Sequence, residues 1–297
     1  MRKFQVSVPA SSGNVGPGFD SMGLAVNLHL TLQVEEAEQW EIVPASSSAA
    51  VIDYKEHFIY QIANQTAERH QKQLPPCKVT EKSDIPLARG LGSSASAILA
   101  GIEIANQAGN LGLSNEDRLR YGTEIEGHPD NIAPALFGGL VISAAFDTEI
   151  ERIEIPNLDM DIVVSIPDVE LKTEAARKVL PDHYPRNLAA SASGVSNLVV
   201  ASLLQGDYKL AGKMMERDLF HEPYRAELIP NYDKIRNKAK ENGAYGSIIS
   251  GAGPTMMSFV PAGSGGEIAN NMQSVLPDYD VKPLKIDTEG LKITYPS

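Results

Sequence analysis

Apolar and polar residues alternate over Phe4-Gln5-Val6-Ser7-Val8, the period of a half-buried β-strand. The alternation gives way to SSGNVGPGFDSMG (residues 11–23), whose glycines and proline predict a loop. Strand character resumes over residues 24–43, where leucines and β-branched residues recur at period two. Over residues 55–73 the period changes. Phe58, Ile62 and Ala63 fall at helical spacing, with Gln and Glu on the other face. A short strand, CKVTEKS (77–83), precedes a second glycine loop, PLARGLGSSAS (86–96). The following stretch, residues 95–110, is apolar around most of its circumference, which predicts a buried helix. Residues 114–126 predict a helix capped by Ser114, with acidic residues in its first turn. GHPDNIAP (127–134) predicts a third loop, and residues 137–146 a strand entered through Gly138-Gly139.

A proline-bearing link near residue 155 leads into a new apolar strand, DIVVSIP (161–167), so the chain divides into 1–155 and 156–297. The second part reads as that strand, helices to about residue 242, strands at 244–250 and 255–260 joined by Gly-Ala-Gly-Pro, then a helix and a strand. This β–α–α–β–β–α–β order approximates a ferredoxin-like domain. The fold class expected is therefore two-domain α+β.

Composition narrows the function. A hydrophobic fraction of 42% with 22% charged residues is that of a soluble globular chain. The N-terminus has no apolar run of signal length, and apolar runs such as Leu198–Leu204 fall far short of a membrane span. The single cysteine, Cys77, forms no internal disulfide and suits a reducing compartment, so the cytoplasm is expected. A formal charge of −12 argues against nucleic acid as a partner. It leaves nucleotides open, because a phosphate site can be made from backbone N–H groups, a helix N-terminus and a metal ion.

Five segments carry candidate chemistry. Arg89-Gly90-Leu91-Gly92-Ser93-Ser94-Ala95 opens the buried helix, and its glycines permit close backbone approach while the first helical N–H groups face outward unpaired. No lysine follows the glycines, so a Walker loop is excluded. No buried strand precedes them, which disfavours a dinucleotide fingerprint. A serine-capped turn without ligand is the plain alternative. In the first loop, Asn14 and Asp20 offer an amide and a carboxylate suited to an ammonium or hydroxyl ligand, or an Asx-turn. Glu126 ends a helix, where the macrodipole disfavours a carboxylate unless a cation compensates; Asp130 and Asn131 follow it. Thr173 and Arg177 share a helix face, and Arg225 is a second arginine able to fork a carboxylate, each with a solvated surface cation as the alternative. Gly251-Ala252-Gly253-Pro254 is either a hairpin turn or a second backbone contact for phosphate.

In this order the segments resemble the GHMP kinases (galacto-, homoserine, mevalonate and phosphomevalonate kinases). PLARGLGSSAS is similar to that family's phosphate loop, SGAGPT to its C-terminal glycine motif, and PASSGNVGPGFD to its first motif. NVGPGFDSMGLAV, HPDN-x-AP with Gly138-Gly139, and KT-x-x-AR-x-x-LP with EPYR resemble the homoserine-phosphorylating branch. Gly13 stands where alanine is usual, and Ala252 where many members have serine. The resemblance implies a two-domain fold with the site between domains. It implies ATP bound along Pro86, Leu87, Ala88, Arg89, Gly90, Leu91, Gly92, Ser93, Ser94, Ala95 and Ser96, with Gly251 and Gly253, and Mg2+ held by Ser94 and Glu126. Homoserine would meet Asn14, Asp20, His128, Asn131, Arg177 and Arg225. Asp130 and Asn131 would lie near the attacked hydroxyl and Thr173 would orient it, with the identity of any general base left open. The partners implied are ATP and homoserine, with no nucleic acid and no membrane; a homodimer is left open.

Overall fold

The computed structural model describes residues 2–44, 53–146 and 149–296. Its first strands are β1 (Phe4–Gly13), β2 (Met22–Glu36) and β3 (Glu41–Pro44). Helix α1 (Phe58–Arg69), β4 (Cys77–Ser83), α2 (Ser93–Ala108), α3 (Asn115–Glu126) and α4 (Pro129–Phe137) follow, then β5 (Leu140–Ala145) and β6 (Ile150–Ile155). The second part holds β7 (Met160–Pro167), α5 (Thr173–Lys178), α6 (Arg186–Leu204), α7 (Tyr208–Met215), α8 (Glu222–Arg225), α9 (Tyr232–Glu241), β8 (Gly246–Ile249), β9 (Met256–Pro261), α10 (Gly265–Val275), β10 (Tyr279–Leu284) and β11 (Lys292–Thr294).

The first sheet runs β11-β1-β2-β4-β3, with β5 and β6 branching from β2. The branch follows from a register shift after Pro9, where β2 carries two extra residues. Proline cannot donate to the ladder, and pairing loosens there. Before the shift β2 pairs with β5; beyond it β2 pairs with β4. Ser11, Ser12 and Gly13, expected in a loop, remain in β1 because Ala25, Leu24 and Gly23 pair with them. Helices α2 and α4 pack against β1, α1 lies on α2, and α3 bridges α2 to α4.

The second sheet has the order β10-β7-β9-β8, all antiparallel. Numbered within the domain this is 4-1-3-2, the ferredoxin-like arrangement expected. Along β7 the pleat sends Ile162, Val164 and Ile166 into the large core shared with the first sheet, and Val163 into a smaller core with α9 and α10 residues such as Ile235, Ala239 and Met272. The large core therefore runs past residue 155, and β11 returns to pair with β1.

Two further expectations change. GHPDNIAP is not a loop: Pro129 occupies the first position of α4, where its fixed φ suits a helix and its missing N–H costs nothing. Pro134 lies inside the helix and leaves the Asp130 carbonyl without its usual partner, where the backbone of Gly23 packs closely. The apolar run at Leu198–Leu204 also proves to be the end of α6, which by length and composition is long and apolar enough to cross a membrane. It packs on α7, burying Ala192, Val199, Ser202 and Leu203.

Candidate active site

One cleft collects most of the candidate residues, between the α2 N-terminus, the α3–α4 junction, α5 and the Ser250–Gly253 turn. At its first end, Gly92 is the N-cap of α2 in the left-handed region (φ 68°), and no side chain caps the helix. Among the described hydrogen bonds the first N–H groups of this 16-residue helix have no partner, and Gly92, Ser93 and Ser94 line the cleft. The glycines are required by space as well as by dihedral. A Cβ on Gly92 would lie 2.3 Å from Ser11 Oγ, and one on Gly90 (φ 77°) 2.3 Å from the Ser250 carbonyl oxygen. Ser250 Oγ donates to the Gly90 carbonyl at 2.7 Å, and Gly251 N–H donates to the Gly13 carbonyl at 3.2 Å. The three glycine segments therefore form one contiguous floor.

The phosphate-loop residues do not all face the cleft. Ala88, Gly90, Gly92, Ser93 and Ser94 line it. Leu87 is 72% exposed on the outer surface, Leu91 and Ala95 are buried in the core, and Pro86 is half-buried. Ser96 Oγ donates to the Pro9 and Gly92 carbonyls, tying α2 to β1. Arg89 turns away to donate to the Pro167 carbonyl at 3.0 Å.

Ser94 Oγ donates to Glu126 Oε2 at 2.8 Å, so the helix-end carboxylate faces the start of α2. Beyond it, buried Asp130 accepts from the Asn14 N–H at 3.0 Å and pairs closely with His128 Nδ1. Burial lowers the His128 pKa, but the hydrogen bond and charge of Asp130 outweigh it and leave it raised. Asn131 Oδ1 accepts from Ser11 Oγ at 3.1 Å. Asn14 (φ 69°) accepts the Asp20 N–H at 3.0 Å and donates to the Gly251 carbonyl at 2.9 Å. It lines the cleft while also stapling the first loop to the last turn. Thr173 lines the cleft as the first residue of α5.

The far end is cationic. Arg177 forks Asp20 with contacts of 2.7 and 3.2 Å. Burial opposes its charge, but Asp20 outweighs that and holds the guanidinium above its ordinary value. Arg225 is 2% exposed and has no carboxylate partner among the described residues. Its Nε donates to the Ala176 carbonyl and its Nη1 to the Gly251 carbonyl, each at 3.1 Å. Burial, reinforced by Arg177, pushes its pKa down to about 10, still charged at neutral pH.

Two residues that sequence reasoning passed over complete this end. The Phe19 ring lies 5.7 Å from the Arg177 guanidinium and 5.6 Å from that of Arg225, and stacks on His221. His221, fully buried, bonds Arg225. The i, i+4 spacing of His221 and Arg225 was the available signal.

The comparisons with known proteins agree. Residues 57–139 match the family described as GHMP kinases N terminal domain, and 199–278 match GHMP kinases C terminal. The chain is 57% identical over 295 residues to a homoserine kinase of Oceanobacillus iheyensis, covering 99% of each. It is 47% identical to one of Halalkalibacterium halodurans, covering 98% of this chain and 94% of that one. The crystal structure of homoserine kinase from Cytophaga hutchinsonii superposes with a TM-score of 0.84 at 27% identity, covering 99% of this chain and 98% of that one. The chain belongs to the GHMP kinases. As such it is an ATP-dependent kinase.

Two clusters of side chains in the cleft have the chemistry to hold a metal. Ser94 and Glu126 present a hydroxyl and a carboxylate 2.8 Å apart, the hard donors that Mg2+ prefers. Asp20, His128 and Asp130 also bring ligand atoms within 4.8 Å of one another. There, Asp20 already pairs with Arg177 and Asp130 with His128 Nδ1, so both carboxylates have protein partners.

Proposed function

We infer that the protein transfers the γ-phosphoryl group of ATP to the side-chain hydroxyl of L-homoserine, giving O-phospho-L-homoserine and ADP. The observation that carries this reading is the pairing in one cleft of an uncapped α2 N-terminus with a buried, carboxylate-free Arg225 beside the Arg177–Asp20 pair. The first end suits a polyanion; the second suits a zwitterion. The relatives bearing the name homoserine kinase support the same substrate.

In this reading the backbone N–H groups from Gly90 to Ser94 hold the triphosphate. Arg225, through its open Nη2, and Arg177 meet the substrate carboxylate, and Asp20 takes its ammonium group while releasing part of its hold on Arg177. That exchange leaves Asp20 paired with the ammonium group and gives the two guanidiniums one shared carboxylate. Asn14, His128 and Asn131 line the path to the hydroxyl, and Thr173 orients it. The hydroxyl oxygen bonds to the γ-phosphorus, the bond to the β–γ bridging oxygen breaks, ADP leaves with the electron pair, and the hydroxyl proton passes to solvent. Asp130 has one oxygen on the Asn14 N–H and the other on His128, so it acts as an orienting group more than as a free base. Mg2+ held by Ser94 and Glu126 would neutralise charge on the phosphates when bound. This chemistry calls for no nucleic acid and no membrane and fits a cytoplasmic kinase; a homodimer is compatible with it.

A coupled ADP-release assay with ATP and magnesium tests the reading on L-homoserine, L-threonine, L-serine and mevalonate. Turnover strongest on L-homoserine is expected. Preference for mevalonate would overturn the substrate assignment.

A further inference from the structure

Beneath the cationic end of the cleft, His221 sits at 0% exposure between two hydrogen-bonding partners of opposite demand, with the Asp218 carboxylate 3.6 Å from its Nε2. On one side its Nε2 lies 2.9 Å from the Gly16 carbonyl oxygen, which can only accept. On the other its Nδ1 lies 3.2 Å from Arg225 Nη1, and a guanidinium can only donate. Both contacts are satisfied by one species alone, the neutral imidazole with its proton on Nε2. An imidazolium would place a second N–H against the guanidinium, and the other tautomer would leave two donors facing on one side and two acceptors on the other. Burial, the dominant influence on the ring, likewise favours the neutral form.

The ring is itself held. Asp218 accepts the N–H groups of Phe220, His221 and Glu222 at 2.9, 2.8 and 2.7 Å and so sets the backbone that carries it. Phe19 stacks on the ring at 5.6 Å with 25° between planes. Arg225 Nη1 is thereby clamped between His221 and the Gly251 carbonyl, with Nε on the Ala176 carbonyl. Nη2, by contrast, has no protein acceptor among the described hydrogen bonds. A clamped fork with one open nitrogen is pre-organised for an incoming carboxylate, because its rotamer entropy is lost at folding and not at binding.

We propose that His221 is a positioning residue for substrate recognition: as the Nε2–H tautomer it relays the Gly16 carbonyl to Arg225 and fixes the guanidinium that receives the amino-acid carboxylate. The inference rests on Arg225 being the carboxylate receptor, as argued above. A role confined to holding the fold would lower stability and affect all substrates alike, whereas a positioning role acts on the amino acid and leaves ATP untouched.

The test is steady-state kinetics on His221→Phe, His221→Gln and Arg225→Gln, with melting temperatures measured alongside. His221→Phe keeps the packing against Phe19 and removes the relay. It is expected to raise KM for L-homoserine roughly tenfold, with kcat and the KM for ATP each within about twofold of wild type. His221→Gln, which retains a donor and an acceptor, is expected to recover most of that loss. A rise in KM for both substrates, or an unmoved KM for L-homoserine, overturns the positioning role. If Arg225→Gln leaves the KM for L-homoserine unchanged, the carboxylate assignment itself falls and the inference with it. If Arg225→Gln raises it and His221→Phe does not, only the relay falls. Nitrogen-15 NMR of the unsubstituted enzyme supplies an arm independent of any variant's folding. A protonated Nε2 with a bare Nδ1 is expected, and a proton on Nδ1 overturns the proposal.

Discussion

In the proposed reading the two ends of the cleft both take anions, yet they are built from different materials. The proposed phosphate end is backbone: the N–H groups at the start of α2 and left-handed glycines at 90 and 92, with no cationic side chain lining it among the described residues, Arg89 being anchored on Pro167. The amino-acid end is side chain: Arg177 and Arg225 over Phe19, one neutralised by Asp20 and the other buried without a carboxylate. Backbone donors are cheap to desolvate and spread over several oxygens, which suits a long polyanion completed by a metal. Paired guanidiniums give planar, two-pronged recognition, which suits a single small carboxylate. A chain of net charge −12 can bind two anionic groups side by side because each end concentrates its positive potential locally.

The strongest way to break this contrast is at the phosphate end. Glu126→Ala is expected to lower kcat by about 10²–10³ while shifting the melting temperature by only a few degrees, since Glu126 is half-buried and its partner is the Ser94 hydroxyl. A variant that kept the wild-type rate at limiting magnesium would remove the metal from that corner. At the other end, Asp20→Asn is expected to raise KM for L-homoserine about tenfold with the KM for ATP unmoved, because the lost charge faces Arg177 and the substrate ammonium but no phosphate. Equal shifts in both constants would erase the distinction between the ends.

The smallest effect is expected outside the cleft, and it sharpens the contrast by separating fold from function. Asp287 pins the C-terminal return through His29 at 2.9 Å and the Gly290 N–H at 2.8 Å. Burial raises its pKa, but these bonds prevail and hold it below the usual carboxylate range. A depressed folded pKa contributes stability above the unfolded value, about 4, and loses it as pH falls through the lower folded value. Asp287→Asn should therefore lower the melting temperature by a few degrees at pH 7. The gap to wild type should close as pH falls below about 4, with kinetic constants unaltered throughout. A gap independent of pH would mean that the carboxylate charge contributes nothing there.

The legibility of the two ends in the sequence follows the same division. The phosphate end depends on residues close in the chain, so GLGSS before an apolar helix announced it, and Glu126 stood out as a carboxylate where the helix dipole opposes one. Single residues of the other end were legible, Asp20, Arg177 and Arg225 among them, but not their assembly. Phe19 reads as one aromatic in a glycine loop, and His221 as a histidine without ligand spacing. The GHPDNIAP segment misled for a local reason, since its two prolines mimic a loop although the first one starts a helix.

By itself, the sequence determined the periodicities, the ferredoxin-like order of the second half, the glycine turns and the chemical types of the site. These depend on dihedral preference and on burial patterns a few residues long. Only the tertiary structure decided that Arg225 would be buried without a counter-ion, that Asp20 would be shared with Arg177, and that His221 and Phe19 would hold the arginines in place. Those outcomes depend on contacts between residues up to 237 positions apart, such as Asn14 with Gly251. Desolvation and close packing are set there by the whole fold, and no local pattern along the chain encodes them.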